Sequence, residues 1–325
     1  MYIVATDEGE LYAEISGKLR YETTELAKFP TVGDFVMVSY ADKESNAIIH
    51  NILTRQSVFL RTAVGVTGQA QSVAANVNTV FICMSLNNNY NLNRLERYLS
   101  VAWDSGATPV VVLTKTDLCE SLSEAIVEVE TAAPFTDVVS LSSFSDKDGE
   151  IREKLAKYLA YGTTSAFIGS SGVGKSTLIN KLLGIDLLAT FDIGKEDKGR
   201  HTTTDREMII SPFGGVLIDT PGMRELGIEC ADLSKTFDDI EALIAQCKFT
   251  DCSHTKEPDC AIQMALEDGR LSKRRWNNYC KLKDEAGYEG LSSKEIEEKK
   301  FERMFKDIGG MKNARNFAKK QRGNK

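Results

Sequence analysis

The 325-residue chain has no run of about 18 or more apolar residues, so nothing in it is long and apolar enough to read as a membrane-spanning helix. No membrane partner is expected. The opening MYIVATDEGE turns acidic too early for the basic-then-apolar start of a secretory signal, which points to the cytoplasm. A disulfide framework is missing too: seven cysteines are an odd number, and Cys83, Cys119, Cys230 and Cys280 are scattered singly. No internal repeat is visible. What is present is an ordinary globular balance, 42% hydrophobic and 27% charged, in a chain long enough for two or three domains.

The net charge of −7 hides an asymmetry. Residues 270–325 carry 17 Lys and Arg against 8 Asp and Glu, leaving 23 against 39 upstream. From Lys312 onward there are six basic residues and no acid, a composition that favours polyanions as well as plain solvation.

Along the chain the pattern changes three times. Up to about Leu53 short β-like runs (YIVAT, ELYAEIS, GDFVMVSY, NAIIHNILT) alternate with turn residues, which suggests a small barrel of OB type. The segment is acidic and poor in aromatics, so it supports the barrel better than nucleic-acid contact. After an expected linker from Arg61 to Gln71, apolar runs alternate with amphipathic helices through VLIDT at 216–220, the pattern of an α/β domain around a mostly parallel sheet. Beyond about Gly227 the text is helical, with Ser292 and Glu295 as a capping box for a helix reaching Ile308. The expected division is 1–60, 61–226 and 227–325.

The chemistry concentrates at the ends of the apolar runs. Gly169-Ser170-Ser171-Gly172-Val173-Gly174-Lys175-Ser176 follows TSAFI and opens STLINKLL, the strand-then-helix setting a phosphate loop requires. Glycines let backbone N–H groups face phosphates, Lys175 reaches the β and γ oxygens, and Ser176, followed by Thr177, can meet Mg²⁺. Downstream, VLIDTPG places Asp219 at a strand end as the second magnesium group and Gly222 where its N–H can sense a γ-phosphate. In GRHTTT, Thr203 is favoured by spacing to close over magnesium, with Thr202 an alternative. TKTD at 114–117 resembles the Asn-Lys-x-Asp motif of GTPases: Asp117 would accept two hydrogen bonds from guanine and the Lys115 stem would lie along the ring. Thr114 replaces the usual Asn, so a weaker link to the phosphate loop is expected. Ser142-Ser143 follows another strand and can offer an N–H to the guanine oxygen. These base-reading elements precede the phosphate loop, the reverse of the usual order, so the domain reads as circularly permuted.

Cys247, Cys252, His254 and Cys260 lie within 14 residues, enough for one closed, structural tetrahedral zinc site. His50, standing alone, reads as an ordinary strand residue.

Together these residues resemble the ribosome small-subunit-dependent, circularly permuted bacterial GTPases (RsgA/YjeQ). The likeness runs through SVAANVNTVFI, RLERYLS, TPVVVLTKTDL, GSSGVGKSTLIN, GRHTTT, DTPGMRELG and CKFTDCSHTKEPDCAIQMALEDGRLSKRRWNNYCKL. The resemblance implies an N-terminal OB-like β-barrel, a circularly permuted P-loop GTPase domain and a C-terminal helical zinc-binding domain. It also implies a monomeric GTP hydrolase acting with the 30S subunit and 16S rRNA in late subunit maturation. Met223 stands where many GTPases have a water-orienting Gln, so His201 is the expected catalytic partner of Lys175. A P-loop phosphotransferase or ATPase, and an RNA-binding module with vestigial hydrolysis, are the competing expectations.

Overall fold

The computed structural model describes residues 1–40, 46–62, 69–142, 149–184, 207–219 and 233–287, together with Glu295 and Lys299. The four expected N-terminal runs are strands β1 (Tyr2–Thr6), β2 (Gly9–Ile15), β3 (Val36–Tyr40) and β4 (Asn46–Ile52), with helix α1 (Gly17–Glu22) between β2 and β3. They pair in the order β1-β2-β4-β3, antiparallel at both edges and parallel between β2 and β4. Period-two alternation turns Val4, Leu11, Ala13, Val38, Ala47 and Ile49 to one face, where they form a small core of their own. Among the described residues β1 and β3 are not paired with each other.

The two ends of the expected linker belong to paired strands, and residues 63–68 between them lie outside the described residues. β5 (Val58–Thr62) and β6 (Ala70–Ala75) pair antiparallel, with Arg61 directly opposite Gln71, and the 60/61 division falls inside β5. The short mixed runs VFLRT and AQSVAA carry no clear period, yet Phe59, Val73 and Ala74 are buried in the core of the next domain. One clamp ties the N-terminal sheet to this strand pair. Arg55 grips the Asp34 carboxylate in a two-pronged pair at 2.8 Å and donates to Ser72 Oγ at 3.0 Å. Beside it, Gly33 has φ +88°, and a Cβ there would stand 2.1 Å from the Ala75 carbonyl oxygen, so only glycine fits.

The main sheet runs through β7 (Thr79–Ser85), β8 (Thr108–Thr114), β9 (Asp137–Ser140), β10 (Thr164–Ile168), β11 (Glu207–Ile210) and β12 (Val216–Asp219). Its spatial order is β11-β12-β10-β7-β8-β9, with every pair parallel except β11 with β12. Helices α2 (Leu92–Asp104), α3 (Leu122–Ala132), α4 (Glu150–Ala156) and α5 (Lys175–Leu183) cross between strands. β7 is buried on both faces, as a central parallel strand must be: Val80, Ile82 and Met84 join one core, Phe81 and Cys83 the other. The second core is closed by α4 and α5 through Ile151, Leu155, Leu178 and Leu182.

On the first face, α2 meets the C-terminal helices α6 (Asp238–Ile244), α7 (Ala261–Glu267) and α8 (Lys273–Ala286). Phe237, Ile240, Ile262, Tyr279 and Leu282 bury into the same core as Leu95, Leu99 and Ile82. Glu295 and Lys299 are helical, while Ser292, the expected cap, and the basic tail from Lys312 lie outside the described residues.

Candidate nucleotide site and candidate metal centre

All described motif residues of the nucleotide site fall at the carboxyl ends of parallel strands. Gly169 follows β10, Lys115 follows β8, Ser142 follows β9, and Asp219 closes β12. That edge is where α/β sheets bind ligands, because successive loops there diverge and leave a crevice. Gly169, Gly172 and Gly174 have φ of 146°, 77° and 93°, and a Cβ on Gly169 would lie 2.5 Å from the Cys83 carbonyl oxygen. The loop therefore passes against β7 without side-chain clearance, and α5 starts at Lys175 directly after it.

The phosphate loop is held by side chains that donate to its carbonyls. Lys175 Nζ donates to the Gly169 and Ser170 oxygens, each at 2.7 Å. Asn89 Nδ2 donates to the Ser171 oxygen at 3.3 Å, Lys115 Nζ to the Gly172 oxygen at 2.9 Å, and Thr114 Oγ1 to the Val173 oxygen at 2.5 Å. Five consecutive carbonyls thus each accept from a side chain. In a trans peptide the N–H points opposite to the C=O, so carbonyls held by these donors leave the N–H groups of the following residues pointing the other way, free for a ligand. Such a nest of N–H groups at a helix start binds phosphate.

Thr114 is buried and its hydroxyl makes the link for which a weaker contact was expected. The Lys115 backbone is left-handed, φ 56°, which turns the chain out of β8 into the short turn carrying Asp117. Asp117 is exposed at the crevice and its carboxylate accepts from the Ser142 hydroxyl. Ser176 and Thr177 occupy the first turn of α5. Ser143, His201, Thr202, Thr203, Gly222 and Met223 lie outside the described residues, and of Asp219 only the strand position is described. Beneath the loop the Cys83 thiol is pushed up to about 12 by burial, with Lys175 opposing, so it stays protonated and unreactive.

The cysteine-rich loop gathers into one cluster. The ligand atoms of Cys247, Cys252, His254 and Cys260 all lie within 4.8 Å of one another. Cys247 Sγ stands 4.0 Å from Cys260 Sγ, and each of these sulfurs is 3.5 Å from His254 Nδ1. Ligands about 2.3 Å from a tetrahedral zinc are about 3.8 Å apart, so Cys247, His254 and Cys260 already stand near the spacing that ion needs, with Cys252 inside the same 4.8 Å cluster. Burial resists ionisation of Cys247, but the N–H groups of Ala261 and Ile262 at the start of α7 hold its thiol below the ordinary value. Burial likewise keeps His254 below its usual value, neutral and able to ligate. Trp276 packs edge-on against the His254 ring at 5.5 Å, and Gln263 donates to the His254 carbonyl.

Sequence reasoning missed Asn89 and Arg94, which both bond Ser170, and a buried cluster of Glu96 with Arg274, Arg275 and Asn278. Neither group shows in the sequence, since the contacts to Ser170 and to Glu96 join positions 76 to 182 apart. The asparagine run at 87–89 was the one hint available.

A parallel sheet in which the phosphate loop comes after the strand bearing TKTD defines a circularly permuted P-loop GTPase. A solved structure with that description, YloQ, matches at a TM-score of 0.61 over 88% of this chain and 91% of its own, at 24% identity, and supports the fold. The chain belongs to the RsgA GTPase family, whose model matches residues 52–229. It is 50% identical over 315 residues to the small ribosomal subunit biogenesis GTPase RsgA 2 of Lactiplantibacillus plantarum, covering 96% of this chain and 87% of the relative. The RsgA 1 protein of Oceanobacillus iheyensis is 44% identical, covering 88% and 82%. YjeQ from Thermotoga maritima aligns at a TM-score of 0.63 and 28% identity, over 87% of this chain and 93% of its own.

Proposed function

We propose that this GTPase hydrolyses GTP during late maturation of the small ribosomal subunit, binding 16S rRNA as a cytoplasmic monomer and being stimulated by the 30S particle. The observation that carries the nucleotide reading is the joining of TKTD to the phosphate loop. Thr114 and Lys115 each bond a carbonyl of that loop, so base and phosphate recognition share one rigid unit. The printed names of the relatives support the ribosomal setting.

In this reading Gly169 to Thr177 surround the phosphates, Lys175 moves from the Gly169 and Ser170 carbonyls to the β and γ oxygens, and Gly222 senses the γ-phosphate. Asp117 accepts from guanine, with Ser142 and Ser143 beside the guanine oxygen. Ser176, Asp219 and Thr203, or Thr202 in its place, would hold Mg²⁺, which neutralises charge on the phosphates. His201 orients the attacking water when the ribosome orders its loop, because the Met223 thioether cannot. Cys247, Cys252, His254 and Cys260 would hold one zinc whose work is structural. The division into 1–60, 61–226 and 227–325 assigns the flanking parts and the basic tail to rRNA contact, in salt-sensitive fashion.

The test is GTP turnover with purified 30S, 50S and 70S particles, run beside GTP and ATP binding. Selective stimulation by 30S and preference for GTP are expected; equal or absent stimulation overturns the ribosomal part, and equal ATP binding the guanine part. His201→Ala should lower the stimulated rate roughly a hundredfold. An undiminished rate removes His201 from catalysis.

A further inference from the structure

Two side chains to which the sequence assigned no role reach the edge of the phosphate loop. Asn89, in the turn after β7, places its Nδ2 3.0 Å from Ser170 Oγ and 3.3 Å from the Ser171 oxygen. Arg94 lies in the first turn of α2, where the N-cap Asn91 side chain accepts from its backbone N–H at 3.0 Å. Its Nη1 donates to Asn89 Oδ1 at 2.6 Å and to Ser170 Oγ at 2.9 Å, closing a triangle of three side chains. The turn is itself fixed, because Asn87 Oδ1 accepts from the Asn89 N–H at 3.0 Å and from the Ser85 hydroxyl at 2.9 Å. Arg97, Arg274 and Arg275 nearby are each paired to a carboxylate, whereas among the described residues Arg94 has no such partner.

We propose that Asn89 and Arg94 are positioning residues for GTP hydrolysis, an inference that rests on reading Gly169 to Thr177 as the phosphate site. Asn89 holds the Ser171 carbonyl, which leaves the Gly172 N–H of the same peptide pointing the other way, free for a ligand. An amide can face the loop with either its oxygen or its nitrogen, and only the nitrogen can donate. The guanidinium decides between them, since it occupies the Asn89 oxygen and leaves the nitrogen for the loop. Arg94 also brings to the rim of an anion site a positive charge that is paired with no carboxylate among the described residues. Donors fixed in place before reaction favour the charge that builds up in the transition state over the ground state, so the effect belongs on the rate more than on binding.

Single-turnover GTP hydrolysis and fluorescent-GDP binding would be measured for Asn89→Ala, Arg94→Ala, Arg94→Lys, Ser170→Ala and the Arg94→Ala/Ser170→Ala double variant. The rate at saturation should fall roughly tenfold or more in Asn89→Ala and Arg94→Ala, with GDP affinity changed less than about threefold. Arg94→Lys should recover part of the loss, and the double variant should lose no more than Arg94→Ala alone. Unchanged rates, fully additive losses, or losses matched by equal losses of GDP affinity overturn the proposal. Lys175→Ala separates the underlying reading: wild-type GTP binding by that variant would refute the phosphate site itself.

Discussion

Thr114 has one hydroxyl proton and spends it on the Val173 oxygen at 2.5 Å, from a position only 2% exposed. No water can replace that donor without opening the core between β8 and the phosphate loop. Thr114→Val keeps the shape and removes the proton, leaving a buried carbonyl short of a partner, which costs about 1–3 kcal/mol. Thr114→Ser keeps the donor and should stay close to wild type. Denaturant unfolding of both variants checks the difference, and equal stabilities would show the bond to be dispensable. The role of this side chain was half legible in the sequence. Its neighbour Asp117 marked the motif, but whether a short β-branched hydroxyl could span to the phosphate loop depends on how closely β8 approaches β10 across β7, and spacing along the chain does not carry that distance.

Helix α2 buries a charged side chain against three partners from α8. Glu96, with no exposed side-chain surface, accepts from Arg275 at 2.9 Å, from Arg274 at 2.8 and 3.1 Å, and from Asn278 at 2.5 Å. Arg275 is 5% exposed and is shared with Asp239, the Thr236 carbonyl and the face of Phe237. Burial opposes its charge, but these carboxylates hold its pKa above the ordinary value. Removing Glu96 leaves a buried guanidinium short of one counter-charge, and such deletions cost about 3–5 kcal/mol. Glu96→Ala should therefore destabilise strongly, while Arg274→Ala, whose side chain is 36% exposed, should cost about 1 kcal/mol or less. Urea midpoints decide: comparable losses from both would mean that the pair with Arg275 carries no special weight. At this scale the sequence was most readable where burial is continuous. NTVFICMSL, PVVVLTK and TSAFI announced β7, β8 and β10 because central parallel strands are apolar on both faces. β5, β6 and α1 were missed because VFLRT, AQSVAA and GKLRYE match neither period: β5 and β6 are buried by partners elsewhere in the fold, and α1 buries no residue at all.

In the molecule as a whole the C-terminal helices are not an independent appendage, since Phe237, Tyr279 and Leu282 bury into one core with Leu95, Leu99 and Ile82. The metal cluster borders that shared core, with Cys260 inside it, and fastens the end of α6 to the start of α7, with Trp276 of α8 packed against His254. A bound zinc would close this unit from outside, while Glu96 and Arg275 close it from within. Loss of the ion should then loosen α6 and α7 without unfolding the sheet, which has a second core on its other face. The chain has two tryptophans, so Trp103→Phe leaves Trp276 as the only indole, 5.5 Å from the His254 ring. Metal analysis of that variant should return one zinc per chain. A strong chelator should shift Trp276 emission to the red and lower the melting temperature by about 5 °C, equivalent to about 3 kcal/mol in a protein of this size. GDP affinity should change little, because the phosphate loop is braced by Thr114, Lys115 and Asn89, all from the sheet side. Should chelation abolish GDP binding, the metal unit would have to support the sheet itself and the two cores could not be separable. Should it leave both emission and melting unchanged, the four side chains would be reduced thiols and a histidine that meet without holding an ion.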